Sequence, residues 1–307
     1  MVNGVWSEVP SPAQQLDIDE LRHCLKTHLL GVEDKLYYRP TVDSTNTIAM
    51  HFAHERSDEG VVVLADSQTA GKGRQGRRWV DVFGYNVLSS TLLRPVFPPH
   101  FLVMIASLAV VDAIAGTCGL TATIKWPNDV LIKDKKVAGI LIETSHDRSG
   151  QLIAIVGIGI NANGPLRDVP PGNSLVTALS AAVPDAENNK REQSASHFPI
   201  ATTLEAECGY VVSREMLIAH LLRHLEQEYL VLQQEAVEAF SGDGLAARSL
   251  WRRWRGQLST LGRSVEVRQG EQIIQGVAED VDSDGELLLR GHTGVLTRIT
   301  WGDVGYQ

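Results

Sequence analysis

The side chains best able to do chemistry crowd into fourteen residues, Asp66 to Trp79. Three glycines (Gly71, Gly73, Gly76) and four cations (Lys72, Arg74, Arg77, Arg78) share the eight positions from Gly71 to Arg78. The chain as a whole carries a formal net charge of −9, so this cationic cluster is a local departure. Glycines let backbone N–H groups approach a ligand closely, and cations add positive potential, so the chemistry is that of an anion cradle. A solvated basic surface loop has the same composition, and the rest of the chain must decide between the two.

Four further motifs carry polar groups in usable spacing. They are Asp43-Ser44-Thr45-Asn46, Lys125-Trp126-Pro127-Asn128-Asp129, Lys136-Val137-Ala138-Gly139 running on to Glu143, and Gly157-Ile158-Gly159-Ile160-Asn161. Glycines inside an apolar strand weaken it, and they mark places where something must lie close to the backbone.

The elements that must hold these motifs follow from periodicity. Asp17 and Glu20 form an N-terminal helix signal, and Leu21, Leu25 and Leu29 then fall on one helical face. Strands are expected over 35–42, 61–65, 86–93 and 152–160, with short strands at 121–126 and 130–133 and a hairpin over 130–144. Ser44 or Thr45 is placed to cap a short helix through Ala53. Pro98 and Pro99 open a helix to about Gly116 whose apolar residues surround it, so it is expected to be buried. The polar stretch Pro184–Ser196 reads as an exposed insertion. Leu217, Leu221, Leu225, Tyr229 and Leu232 trace the face of a long helix, which Gly242–Gly244 ends. A short basic helix with Trp251 and Trp254 follows and reads as a packing element. From about Gly256, short alternating runs separated by turn residues predict a small all-β unit. The expected division is a loose tail over 1–15, a catalytic domain over 16–255 and a small domain over 256–307.

At 307 residues, with 43% hydrophobic and 21% charged, the chain has the composition of a soluble globular enzyme. Its acidic balance argues against general nucleic-acid binding. Cys24, Cys118 and Cys208 are far apart with no CxxC spacing, which fits a reducing cytoplasm and no zinc site. No signal peptide and no membrane-spanning run are apparent. His220 and His224 lie four apart on a helix, but no acidic motif accompanies them, and a metal site there is not expected.

The five motifs, in this order and spacing over 43–161, resemble those of biotin protein ligases (biotin–[acetyl-CoA-carboxylase] ligases). The tail ending Ile299-Thr300-Trp301-Gly302-Asp303-Val304 resembles that family's small SH3-like C-terminal domain. The resemblance implies an α+β fold, with a mixed, seven-stranded catalytic sheet of the biotin/lipoate ligase type followed by the SH3-like unit. It implies ATP-dependent formation of biotinyl-5′-AMP, then transfer of biotin to a lysine of a biotin carboxyl carrier domain, with Mg²⁺ assisting. Repressor members carry an N-terminal winged helix. Only about forty residues precede Ser44 here, so a ligase without DNA binding is expected. No membrane partner is expected, and the state can be monomer or homodimer.

Carried over residue by residue, the resemblance makes Arg74, Lys136 and Lys125 the catalytic cations. It assigns Ser44, Thr45, Asn46, Gln68, Lys72, Gly73, Arg74, Lys136 and Gly139 to biotin. Arg74, Arg77, Trp79, Asn128 and Asn161 fall to ATP and the adenylate, and Asp129 becomes a candidate magnesium ligand. Position 72 departs from the arginine common in the family: the charge is kept and the planar fork is lost. Lipoate or octanoate ligation on the related fold, and a non-catalytic biotin-sensing module, are the alternatives.

Overall fold

The computed structural model describes residues 14–55, 58–166, 200–239 and 244–307. The insertion expected over 184–196, most of the tail over 1–15, and Gly242 lie outside them. Chain order begins α1 (Ile18–Cys24), β1 (Leu36–Val42), α2 (Thr45–His54), β2 (Val62–Gln68), β3 (Val87–Leu93), α3 (His100–Cys118), β4 (Thr123–Lys125), β5 (Asp129–Ile132), β6 (Lys135–His146) and β7 (Leu152–Ile160). It continues with α4 (Leu204–Cys208), α5 (Arg214–Ala239), α6 (Leu245–Gln257) and five strands, β8 (Ser264–Gln269), β9 (Gln272–Val281), β10 (Leu287–Arg290), β11 (Leu296–Ile299) and β12 (Asp303–Tyr306).

The first seven strands form one sheet in the order β1-β2-β3-β7-β6-β5-β4, with β1 and β2 parallel and the other pairs antiparallel. Strand alternation explains how this sheet serves two faces. On β7, Ala154, Val156, Ile158 and Ile160 face the main core, while Ile153 and Ile155 face α2. The next two residues on the α2 face are Gly157 and Gly159, where the apolar filling stops. On β3 the same face carries Leu88, Ser90 and Leu92, and on β6 it carries Gly139, Leu141 and Glu143. Small and polar residues thus replace branched ones at one end of one face, and a cleft opens there.

Helix α3 covers the opposite face. Twelve of its residues are buried, from Phe101 to Ile114. Its length and composition would suffice to cross a membrane, contrary to the sequence expectation that no such run exists. Its burial under α5 and against the sheet makes it the core helix of the domain. Gly119, with φ of 68°, ends it in the left-handed conformation that glycine tolerates.

The N-terminal segment departs from expectation. Helix α1 ends at Cys24, and Leu25 is already extended, so Leu25 and Leu29 do not continue a helical face. The cause is Glu226 on α5. Its carboxylate accepts the backbone N–H groups of His28, Leu29 and Leu30 at 2.7–2.8 Å and holds this segment as a turn.

The C-terminal strands form a five-stranded antiparallel sheet, β11-β10-β9-β8-β12. It is joined to the catalytic domain through α6. Trp254 is fully buried, and Trp251 donates its indole N–H to the Asp282 carbonyl at 2.7 Å. From the other side, Trp126 donates its indole N–H to the Gly285 carbonyl at 2.9 Å. Both tryptophans of α6 therefore pack between the domains, as their position beside the β-rich tail implied.

Candidate active site

The cleft opens where α2 begins. Ser44 occupies the N-cap position of α2, yet its side chain makes no capping hydrogen bond. Its hydroxyl is buried without a partner, in a residue 1% exposed, and lines the cleft. A buried hydroxyl with nothing to bond is costly unless a ligand supplies the partner. Thr45 donates its N–H (2.8 Å) and its hydroxyl (3.1 Å) to Gln68 Oε1. Asn46 donates through Nδ2 to Glu143 Oε2 at 2.7 Å and accepts at Oδ1 from Ser90. A Cβ on Gly157 would stand 2.1 Å from Asn46 Oδ1, so that glycine exists to admit this amide.

The loop after β2 folds back on itself. Gly73 N–H donates to the Arg77 carbonyl at 2.7 Å and Trp79 N–H to the Gly71 carbonyl at 3.0 Å. Its root is fastened by Gln68 N–H to Asp81 at 3.1 Å and by Gly84 N–H to the Asp66 carbonyl at 3.1 Å. Asp66 is fully buried and is held in turn by Arg214 at 2.8 Å and by the Tyr38 hydroxyl. The bare faces of Gly139 and Gly159 receive the Trp79 indole: a Cβ would lie 3.0 Å from it at Gly139 and 2.5 Å at Gly159. The indole Nε1 is buried with no partner.

The four loop cations point four ways. Arg74 donates to Asn128 Oδ1 at 2.8 Å and to the Gly302 carbonyl at 3.4 Å. Burial lowers its pKa, opposed by Asp303 and Asp129; a guanidinium stays charged regardless. Arg77 pairs with Asp303 of the C-terminal sheet at 2.7 Å. Lys72 pairs with Glu143 at 3.2 Å, and Arg78 donates to the Thr69 carbonyl.

Strands β4 and β5 pair Lys125 with Asp129 across the turn Trp126-Pro127-Asn128, whose Trp126–Pro127 bond is cis. Asn128 is held by Nδ2 donating to the Ile140 carbonyl at 2.7 Å. Asp129 takes the Lys136 ammonium at 2.6 Å. Lys136 also lies 5.8 Å from the centre of the Trp79 ring. It follows a turn in which Lys133 and Asp134 both have positive φ (49° and 61°). Glu207 secures that turn through Lys133 at 3.0 Å and Lys135 at 3.1 Å. Hydrogen bonds, the Lys133 one foremost, bring the Glu207 carboxyl down to about 2. Lys125 is 3% exposed, and its ammonium sits over the Tyr306 ring at 4.9 Å. Burial pulls it down to about 8, with Asp129 opposing and Lys136 reinforcing.

All nine residues assigned to biotin from the sequence line this one cleft, together with Trp79 and Asn128. Asn161 lies at the end of β7 in an adjoining hollow that shares Trp79 and Lys136 with the cleft. Lys125, Arg77 and Asp129 are not on the cleft wall: the first two face the C-terminal domain, and the third braces Lys136. Ser90 and Glu207 were not singled out from the sequence, and Glu143 and Asp303 stood there only inside motifs, without a role. For Ser90 the signal was present, since Ser89-Ser90-Thr91 inside a buried strand must find partners. Among the described residues, no group of three or more His, Cys, Asp or Glu side chains could hold a metal. Magnesium that arrives on nucleotide phosphates with its own waters needs only one or two carboxylates; the candidate, Asp129, has one oxygen on the Lys136 ammonium at 2.6 Å and the other left over.

The cleft brings together polar side chains at the start of α2, the cations Lys72, Arg74 and Lys136, and the Trp79 indole over glycine backbone. The chain is similar to known proteins over most of its length. Residues 38–161 match the model of the biotin/lipoate A/B protein ligase family, and residues 260–304 match that of the biotin protein ligase C-terminal domain. The biotin–[acetyl-CoA-carboxylase] ligase of Paracoccus denitrificans is 33% identical over 82% of this chain and 92% of its own length. The bifunctional ligase/repressor BirA of Bacillus subtilis is 31% identical over 92% of this chain and 76% of its own. The Aquifex aeolicus biotin protein ligase solved with biotin and ATP superposes with a TM-score of 0.65 at 26% identity, covering 90% of this chain and 99% of that one. The chain belongs to the biotin protein ligase family.

Proposed function

We propose that the protein activates biotin with ATP and transfers it to a lysine of a carrier domain. A biotin carboxylate oxygen attacks the α-phosphorus of ATP, and pyrophosphate leaves. The ε-amine of the carrier lysine then attacks the acyl carbon of the resulting anhydride, AMP leaves, and the amine loses a proton. The acceptor supplies the nucleophile, so the enzyme needs to position two anions and stabilise the charge that builds between them. In this reading Arg74 bridges carboxylate and phosphate, and Lys136 takes the biotin carboxylate. Lys125 contributes positive potential from behind the turn. Asp129 and Asn128 would hold magnesium, which would neutralise phosphate charge during attack. Trp79 and Asn161 serve the nucleotide.

The observation that carries this reading is the pocket at the start of α2. A cyclic urea offers two N–H donors and one carbonyl acceptor. The orphan Ser44 hydroxyl, with Thr45, Asn46 and Gln68 beside it, answers with donors and acceptors together. The match of residues 260–304 to the biotin ligase C-terminal domain favours biotin over lipoate. The named activities of the Paracoccus denitrificans and Mycobacterium tuberculosis relatives point to the carrier domain of acetyl-CoA carboxylase as acceptor. Three free cysteines fit a cytoplasmic setting. The test is competition: biotin, and not lipoate, should bind the purified protein, and labelled biotin should appear on the carrier lysine only when ATP is present. Tighter binding of lipoate, or binding of biotin without turnover, would overturn the proposal.

A further inference from the structure

The carboxylate of Glu143 has no place in the chemistry above, yet it stands between the two halves of the site. It projects from β6 on the same face as Gly139. Its Oε2 accepts Asn46 Nδ2 at 2.7 Å, and its Oε1 accepts the Lys72 ammonium at 3.2 Å. The amide orientation of Asn46 is forced. Glu143 can only accept, so the nitrogen must face it, and the oxygen then faces the Ser90 hydroxyl, which also reaches Thr45 Oγ1 at 2.7 Å. Asn46 is 4% exposed and seated on the bare Cα of Gly157, so it has no room to turn away. Lys72, by contrast, belongs to the loop that carries Arg74 and Trp79.

We propose that Glu143 is a positioning residue that ties the loop to the ring pocket, giving one oxygen to each. The inference rests on the biotin-ligase reading only for the meaning of the pocket; the tie itself is a property of the protein alone. Order at Asn46 fixes where Glu143 points, and Glu143 in turn fixes Lys72. One side chain therefore joins the wall of the ring pocket to the loop in the ligand-free protein. The division of oxygens also accounts for a lysine at position 72. An ammonium is a point donor and takes one oxygen, leaving the other to Asn46, whereas a guanidinium fork engages both when it pairs bidentately.

The test measures amide hydrogen exchange in the full chain, reading Gly73, Arg77 and Trp79, whose N–H groups are bonded within the loop or to its rim. Glu143→Gln keeps one acceptor for Asn46 and removes the anion that holds Lys72. For a partly exposed ion pair, loop amides should exchange about two- to fivefold faster without ligand. Biotin affinity by calorimetry should weaken over a similar range. Lys72→Met should reproduce the loop effect, and the double variant should open the loop no further than either single one. A merely structural role would lower the melting temperature and leave the loop amides unchanged. Unchanged loop exchange in Glu143→Gln, or additive effects in the double variant, would overturn the assignment. Failure of the wild type to bind biotin would overturn the ligase reading, while the ligand-free exchange would still decide the role of Glu143.

Discussion

Replacing Ser44 by alanine should move stability and affinity in opposite directions. In the folded protein the Ser44 hydroxyl is buried, bonds to nothing and does not cap α2. Asp17 shows what an engaged cap looks like in the same chain: it accepts from the N–H groups of Asp19 and Glu20 at 3.0 and 2.9 Å. Removing a working cap such as Asp17 costs about 1 kcal/mol. Removing an unsatisfied buried hydroxyl instead relieves a desolvation penalty of roughly 1–3 kcal/mol, partly offset by the small void left behind. Ser44→Ala should therefore melt at the wild-type temperature or a few degrees above it. If the hydroxyl receives a ligand, the same change removes one neutral hydrogen bond of about 0.5–1.5 kcal/mol, so biotin should bind about two- to twelvefold more weakly. Calorimetry with biotin and thermal unfolding without it are the two assays. A lower melting temperature with unchanged biotin affinity would refute the reasoning and return Ser44 to a helix cap.

Other perturbations test the rest of the site. Gly159→Ala places a methyl 2.5 Å from the Trp79 indole, so the ring must leave the glycine floor. The adenylate should then dissociate on the order of tenfold faster, a change of about 1.4 kcal/mol readable in a trapping assay. Asp303→Asn removes the charge that anchors Arg77 across the domain boundary at 2.7 Å. Its expected effect is a rise of about two- to fivefold in KM for ATP with little change in melting temperature. Lys125, brought down to about 8, is a cation below that pH and neutral above it. Pyrophosphate release, which involves no acceptor amine, should lose kcat/KM for ATP as pH rises from 7 to 9, and Lys125→Arg should flatten the profile. Because the folded pKa lies below the ordinary lysine value, the folded state binds fewer protons than the unfolded chain between about 8 and 10.5. On this group's account stability rises with pH across that window, and urea titrations of Lys125→Met should show the rise reduced.

Some of this was legible in the sequence, and the reason is local chemistry. The glycines at 157 and 159, and the polar run at 43–46, break otherwise apolar patterns; in the fold the glycines lie on the sheet face that α2 covers, and the polar run opens α2 above them. Strand and helix boundaries around them followed from periodicity and turn residues. What escaped depended on partners far along the chain. Glu226, about 200 residues away, ends α1 early by taking three backbone N–H groups that a longer helix would have used. Arg77 resembles its neighbours in the basic loop, and only the docked C-terminal sheet shows that it pairs with Asp303. Lys125 reads from the sequence as a catalytic cation, and only the fold shows that its ammonium sits over the Tyr306 ring. A charged residue's type announces that it needs a partner, while the identity of that partner is settled by tertiary packing.

The central claim is that one cleft joins a biotin ring pocket to a cationic nucleotide site. It is tested most directly by following pyrophosphate released from ATP by the purified protein as biotin is added. The account predicts release that depends on biotin, saturates, and leaves a protein-bound biotinyl adenylate that a carrier lysine discharges. Pyrophosphate release at the same rate without biotin, or biotin binding that never yields the adenylate, would contradict it.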